Sequence, residues 1–427
     1  MWKINGGATI SEDWVRPGRR DRVRNRATRL GLVAAGALAV GAAMAVPASA
    51  APSSVSSASG VTTGATAVSS AASATFSIFN PPSQDATPGS AQDLTGVYAA
   101  SPTDVWAVGN ATGDPFEHWN GTSWTGQGLP AGIGIAGGNT QVSVNFITGT
   151  SGDNIIAVGS GSIDTGTSDV DESVAFHFNG TSWSNMTLPA KVATAPGDQP
   201  GLGPVLAFTS TNLWSVNNIG DAEHFNGKTW KKTKLPIPKT AGGNLNMTSI
   251  SGSSPSDIWA AGFVQTDPGL HGHNEAPVLE HFNGTKWINV TVPVANPTGG
   301  LSNVVAITPT DAYLVSEEGI LHWDGSAWTM LNAVTQSGAA VGGGAIAALS
   351  PTDVWVGNGD TLDNFNGTTW TSVPVPSTAG LTPAGQTLTG PVTAAAVGPG
   401  SIWFVGGTLT NGGNNFGPPF AVGTSNG

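Results

Sequence analysis

The densest set of metal-ligating side chains in the 427-residue chain is Asp267-Pro268-Gly269-Leu270-His271-Gly272-His273-Asn274-Glu275. His-x-His-x-Glu on an extended loop brings two imidazoles and a carboxylate together, a donor set that suits zinc or another borderline divalent ion. Asp267, His271, His273 and Glu275 are therefore the candidate metal ligands, with an ordinary polar loop as the alternative, because no second ligand pair stands elsewhere in the sequence. A second cluster, Asp164, Asp169, Asp171 and Glu172, offers only oxygen and would favour calcium. It lacks the spacing and glycine of an EF-hand loop, so it is a candidate binding patch without a recognised motif. No cofactor is demanded by these residues; a divalent cation, calcium or zinc, is what they could hold.

The other five histidines, His118, His177, His224, His281 and His322, recur one to a copy in segments such as His118-Trp119-Asn120-Gly121-Thr122-Ser123-Trp124. Side chains distributed one to each copy of a repeat cannot converge on one reaction centre, so they are read as scaffold. The thirteen tryptophans after residue 50 behave alike, since all fall at three positions of the same repeat. None is left over as a platform for stacking a sugar.

Those residues are positioned by a repeat with two halves. The first half reads Ser101-Pro102-Thr103-Asp104-Val105-Trp106-Ala107-Val108-Gly109 and returns around Ile155, Leu213, Ile258, Ala312, Val354 and Ile402, seven copies in all. The second half ends in Trp124, Trp183, Trp230, Trp287, Trp328 and Trp370, six copies. Each full copy fits four short antiparallel strands. An inner strand of small and β-branched residues is followed by a Ser/Thr-Pro-x-Asp turn, where Pro and Asp favour the bend. An aromatic second strand ends in Gly, and the third and fourth strands meet at Asn-Gly or Asp-Gly, a strong hairpin signal expected to form a type I′ turn. The fourth-strand Trp then packs between neighbours.

Seven such units predict an all-β chain, a seven-bladed β-propeller with four antiparallel strands per blade. The seventh copy lacks its second half, and an open ring would leave strand edges free to aggregate. Phe76-Ser77-Ile78-Phe79-Asn80-Pro81-Pro82 resembles the fourth strand of other copies. This N-terminal strand is expected to complete the last blade beside a third strand over Pro418–Thr424.

The order of features resembles the kelch repeat. Ile402-Trp403-Phe404-Val405-Gly406-Gly407 carries its first part, and Glu280-His281-Phe282-Asn283-Gly284-Thr285-Lys286-Trp287 its second; most copies keep one Gly of the pair. The resemblance runs from Leu94 to the C-terminus and extends to the central propeller of galactose oxidase and to propeller repeats of exported bacterial proteins. The copper chemistry of galactose oxidase does not carry over, because it needs a cysteine-crosslinked tyrosine and this chain has no Cys and only Tyr98 and Tyr313. Propeller sialidases use an arginine cluster, and all seven arginines lie between Arg16 and Arg29. Streptogramin lyase is also seven-bladed and uses a metal and histidine, and only His271 and His273 keep that route open here.

Residues 1–50 have the layout of an export signal: the arginines, an uncharged run from Leu30 to Val46, and Ala48-Ser49-Ala50 as a cleavage site. Cleavage after Ala50 and a secreted or cell-envelope location are expected. An uncleaved anchor is the alternative, although the run is short and Ala/Gly-rich for a membrane span. Residues 51–75, rich in Ser, Ala and Thr, read as a linker, and 76–427 as the propeller. Beyond residue 50 there are seven lysines against 24 carboxylates, a formal charge of −17. That balance argues against a nucleic-acid partner. Half of these carboxylates fall in long Gly/Pro-rich loops on one face of the expected propeller, such as Gly159–Ser173, Pro189–Pro204 and Gly262–Pro277. The leading functional expectation is a monomeric, non-catalytic binding module offering this acidic face to a cation, protein or glycan. The alternative is an extracellular hydrolase or lyase acting on carbohydrate or another polymer with metal help.

Overall fold

The computed structural model describes residues 76–79, 94–109, 114–131, 141–164, 169–195, 199–237, 243–265, 275–294, 299–331, 333, 344–358, 361–374, 386–388, 393–398, 401–410 and 416–424. The segments read as export signal and linker lie outside them. Seven antiparallel sheets follow one another around a ring, a seven-bladed β-propeller. Blade 1 comprises Leu94–Ser101, Asp104–Gly109, Phe116–Trp119 and Trp124–Gln127, from inner to outer strand. Blade 2 comprises Gln141–Ser151, Asn154–Asp164, Asp169–Phe178 and Trp183–Asn185. Blade 3 comprises Val205–Thr209, Asn212–Val216, Asp221–Phe225 and Trp230–Lys234. Blade 4 comprises Asn244–Ser254, Asp257–Gln265, Glu275–Phe282 and Trp287–Asn289. Blade 5 comprises Leu301–Thr308, Asp311–Ser316, Gly319–Trp323 and Trp328–Met330, and blade 6 Ala345–Ser350, Asp353–Asn358, Thr361–Phe365 and Trp370–Pro374.

Blade 7 is built from both chain ends. Thr393–Gly398, Ser401–Thr410 and Phe416–Thr424 are completed by Phe76–Phe79, which pairs antiparallel with Phe76 opposite Thr424 and Phe79 opposite Ala421. The third strand begins two residues earlier than the sequence suggested. An unforeseen short strand, Gln386–Leu388, extends the sheet beside Thr408–Thr410.

The core lies between blades, and one rule generates it. The second-strand aromatic of each blade packs on third- and fourth-strand rings of the next, as offset and edge-on contacts prefer. Trp106 meets Phe178 at 4.5 Å and Trp183 at 5.4 Å. Trp214 meets Phe282 at 4.8 Å, Trp259 meets Trp328 at 5.1 Å, and Tyr313 meets Phe365 at 6.3 Å. Trp355 meets Phe76 at 5.0 Å, so the N-terminal strand serves as the outer strand of blade 7 in packing as well as pairing. Trp403 returns to Trp119 and Trp124 of blade 1, both at 5.7 Å, and closes the ring. Between blades 2 and 3, Ile156 takes the aromatic position.

On one face of the ring the two tight turns of each of blades 1 to 6 pack on each other. The Asn-Gly turn differs from the expected type I′. Gly121, with φ 90°, is the first of two central residues, and Asn120 stands before them, its Oδ1 accepting the N–H groups of Thr122 at 2.9 Å and Ser123 at 3.0 Å. A Cβ on Gly121 would lie 2.8 Å from Thr103 Cβ in the neighbouring turn, so contact as well as φ requires glycine here.

Candidate functional site

The opposite face is uneven. In blade 3 the second hairpin ends one pair above the ring body, with Val216 opposite Ala222 and the tight turn Asn217–Gly220 above it. At the equivalent level blade 2 has Val158 opposite Ala175 and continues for six more pairs to Asp164 opposite Asp169, an extra height of about 20 Å at ~3.3 Å per residue. Blade 4 continues four pairs beyond Ala261 and Leu279, to Gln265 opposite Glu275, about 13 Å more. The inner strands of both blades lengthen with them, pairing Gln141 with Ser162 and Asn244 with Gln265. Blade 3 is therefore a gap between two raised three-stranded ribbons.

Of the two sequence-predicted clusters, these ribbons carry Asp164, Asp169, Asp171 and Glu172 in blade 2 and Glu275 in blade 4. Asp164 and Asp169 face each other in register at the last described pair of blade 2, Asp171 is opposite Ser162, and Glu172 is opposite Gly161. The side chains of Asp164, Asp169 and Asp171 lie outside the described residues, as do Asp267, His271 and His273 altogether. Glu275 starts the third strand of blade 4, half-buried, and its Oε2 would lie 2.5 Å from a Cβ at Gly300. Glu317 packs on the adjoining Gly299, so the diglycine gathers carboxylates from blades 4 and 5. Among the described residues no three His, Cys, Asp or Glu side chains are grouped to hold a metal ion.

The floor and one wall of the gap are tied together by hydrogen bonds. The segment between blades 2 and 3 forms a helical turn at Ala190–Ala193 and a small ladder of Thr194–Ala195 with Gln199–Pro200. Leu202 N–H then donates to Ser173 Oγ at 2.8 Å, and Asn217 Nδ2 to Gly201 O at 2.8 Å. On the other side Met247 N–H donates to Asn218 Oδ1 at 2.8 Å. Lys232 Nζ bridges the buried carboxylates of Asp221 at 3.1 Å and Glu223 at 3.2 Å, while Lys234 Nζ reaches Asp221 at 2.8 Å and Ile219 O at 3.0 Å.

The five repeat histidines are bonded as scaffold. Each Nε2 pairs with the Asp or Asn that opens the second strand: His118 with Asp104 at 2.9 Å, His177 with Asn154 at 2.9 Å, His224 with Asn212 at 2.9 Å, His281 with Asp257 at 2.7 Å, and His322 with Asp311 at 3.1 Å. Four of the rings also stack on the aromatic of that strand, at 4.0 Å for Trp214 and Trp259.

Sequence reasoning missed a set of buried acids one residue before the histidine position. Glu117, Glu223, Glu280 and Asp363 occupy it in blades 1, 3, 4 and 6, each turned toward the preceding blade and exposed by 1% or less. Burial, with the Asp114 carboxylate adding to it, pushes the Glu117 carboxyl up to about 8. Burial takes Glu280 up to about 7 against a 2.9 Å hydrogen bond from Asn289 Nδ2. Burial also raises Glu223, opposed by the Lys232 ammonium. Asp363 accepts a hydrogen bond from Ser372 Oγ. The signal that could find them is the repeat itself: aligned copies put an acid in one column four times out of six.

No protein-family model matches the chain, and no curated protein matches it. Among solved structures it is similar to YCF48 bound to D1 peptide, over 82% of this chain and 97% of that one, at 15% identity and a TM-score of 0.50. It is also similar to YCF48 from Cyanidioschyzon merolae, over 82% and 98%, at 13% identity and a TM-score of 0.53. At these identities the likeness is one of fold.

Proposed function

We propose that the chain is an exported, non-catalytic binding propeller of the kelch type that presents its raised, acidic face to a cation or a protein partner. The observation that carries this reading is the gap over blade 3. Two raised ribbons flank a hydrogen-bonded floor; Asp164, Asp169, Asp171 and Glu172 belong to one and Glu275 to the other, whose second and third strands the sequence connects through Asp267, His271 and His273. Function on propellers commonly resides in such connections because a rigid scaffold holds them. The field of so many carboxylates favours a positively charged ligand. That one of the structurally similar proteins was solved with a peptide bound supports a peptide or protein as occupant.

The test is titration of the full chain with calcium, zinc and a basic peptide, repeated on Asp164→Asn/Asp169→Asn/Asp171→Asn and on His271→Ala/His273→Ala. Binding weakened by about tenfold in one set supports the reading and says which ribbon holds the ligand. Binding indifferent to both sets contradicts it, as does metal-dependent cleavage of a polysaccharide lost in the histidine variant.

A further inference from the structure

We propose that the outer strand of blade 3, Trp230–Lys234, is a docking edge for an extended acidic segment of another protein, which adds to the blade as a fifth strand. This surface is the rim of the ring; it meets the gap only where Lys234 reaches Ile219 O in the turn at its floor.

The charge of the chain is segregated to an unusual degree. Six of the seven lysines after residue 50 fall between Lys191 and Lys239, and four of them, Lys228, Lys231, Lys232 and Lys234, are on the outer strand of blade 3 or the turn that starts it. Lys228 and Lys231 are exposed, and the Lys234 side chain is 70% exposed. Lys232 and Lys234 pair with the buried carboxylates of Asp221 and Glu223, so the exposed Lys228 and Lys231 carry the surplus positive charge of this strand.

Lysine on an edge strand commonly serves only to discourage aggregation. Here that explanation fails on the other blades. Trp124–Gln127, Trp183–Asn185, Trp287–Asn289, Trp328–Met330, Trp370–Pro374 and Phe76–Phe79 are outer strands without a single lysine, and Trp370–Pro374 is as long as the blade 3 strand. A chain that leaves six edges without lysine does not need it on the seventh for solubility.

Among the described residues no strand pairs with this edge, and backbone and aromatic surface lie beside the charge. The ladder between Asp221–Phe225 and Trp230–Lys234 is framed by Asn226 N–H to Thr229 O at 3.2 Å and Leu235 N–H to Gly220 O at 2.9 Å. Antiparallel pairs alternate between bonded and non-bonded. His224 with Lys231 and Ala222 with Thr233 are then the bonded pairs, and the N–H and C=O groups of Trp230, Lys232 and Lys234 point out from the sheet. Trp230 is also the least covered of the six fourth-strand tryptophans. The other five are 3–8% exposed, whereas Trp230 is half-buried beside the seam where Ile156 replaces an aromatic ring.

A strand with acidic side chains on one face and apolar ones on the other satisfies all three features: its amides meet the outward backbone, its carboxylates meet Lys231 on the face away from Trp230, and its apolar side chains cover Trp230. An anionic polysaccharide uses only the charge.

The test uses a fluorescein-labelled peptide of alternating Glu and Val, its copy with alternate amides N-methylated, and polygalacturonate, each titrated into the full chain at low salt. The expected result is peptide binding that weakens at least about tenfold in Lys228→Gln/Lys231→Gln, and similarly on N-methylation. Neither lysine touches Asp221 or Glu223, so the variant keeps the buried ion pairs; an unchanged circular dichroism melt confirms this. Absence of peptide binding, equal binding by the methylated copy, equal binding by the variant, or lysine-dependent binding of polygalacturonate alone each overturns the proposal.

Discussion

A carboxyl group held between two blades destabilises the fold whenever it is ionised, and Glu117 and Glu280 meet that condition near neutral pH. Both carboxyls titrate near 4.5 when unhindered and near 8 and 7 in the folded chain. Between those values the folded state holds more protons than the unfolded one, so stability falls as pH rises. The contribution is fully present below about 4.5 and lost through about 7 to 8. Calorimetry should show a melting midpoint lower at about pH 9 than at about pH 5, with Glu117→Gln removing part of the slope; Glu117 alone accounts for roughly 2–5 kcal/mol. A midpoint that climbs across this window contradicts the assignment. The histidines and tryptophans were legible as scaffold because repetition gives them away. The acids were not, because in Phe116-Glu117-His118-Trp119 a glutamate between large rings reads as a solvent-facing residue of an alternating strand. Its burial comes from the preceding sheet in the ring, which no local pattern records.

At the level of elements, turns and closure were readable, while the ribbons were not. Phe76–Phe79 looked like a fourth strand and is one. Gly159–Ser173 and Gly262–Pro277 read as Gly/Pro-rich loops, yet most of their described residues continue the strands. Glycine and serine have low strand propensity, and here the lengthened inner strands supply the missing ladder bonds. The glycines mark where those strands bulge. A Cβ on Gly159 would lie 1.8 Å from Ser143 O, beside the register shift between Val144 and Phe146. Gly159→Ala should therefore force the ribbon of blade 2 away from its inner strand, costing about 1–3 kcal/mol. Hydrogen exchange is expected to speed up in Val158–Asp164 more than in the outer strand Trp183–Asn185; uniform protection would argue against the bulge.

The whole molecule has no cysteine, so nothing covalent joins its ends. Its integrity depends on the seventh seam, where Trp403 packs on Trp119 and Trp124, and on the N-terminal strand that links blade 7 to Trp355 of blade 6. The seven-fold count was legible because seven first halves and six second halves leave one strand to find. What occupies the raised face was not, since its candidate residues, such as Asp169, Asp171 and Glu275, follow no repeat. Both the gap over blade 3 and the lysine edge presuppose a closed ring. The most direct measurement of closure is the pair Ile78→Cys/Val422→Cys, which stand opposite each other in register. In a chain without other thiols, mild oxidation should convert the native protein fully to an intramolecular disulfide and raise its melting midpoint. Two thiols that stay free and reactive in the folded protein would contradict the closed seven-bladed ring.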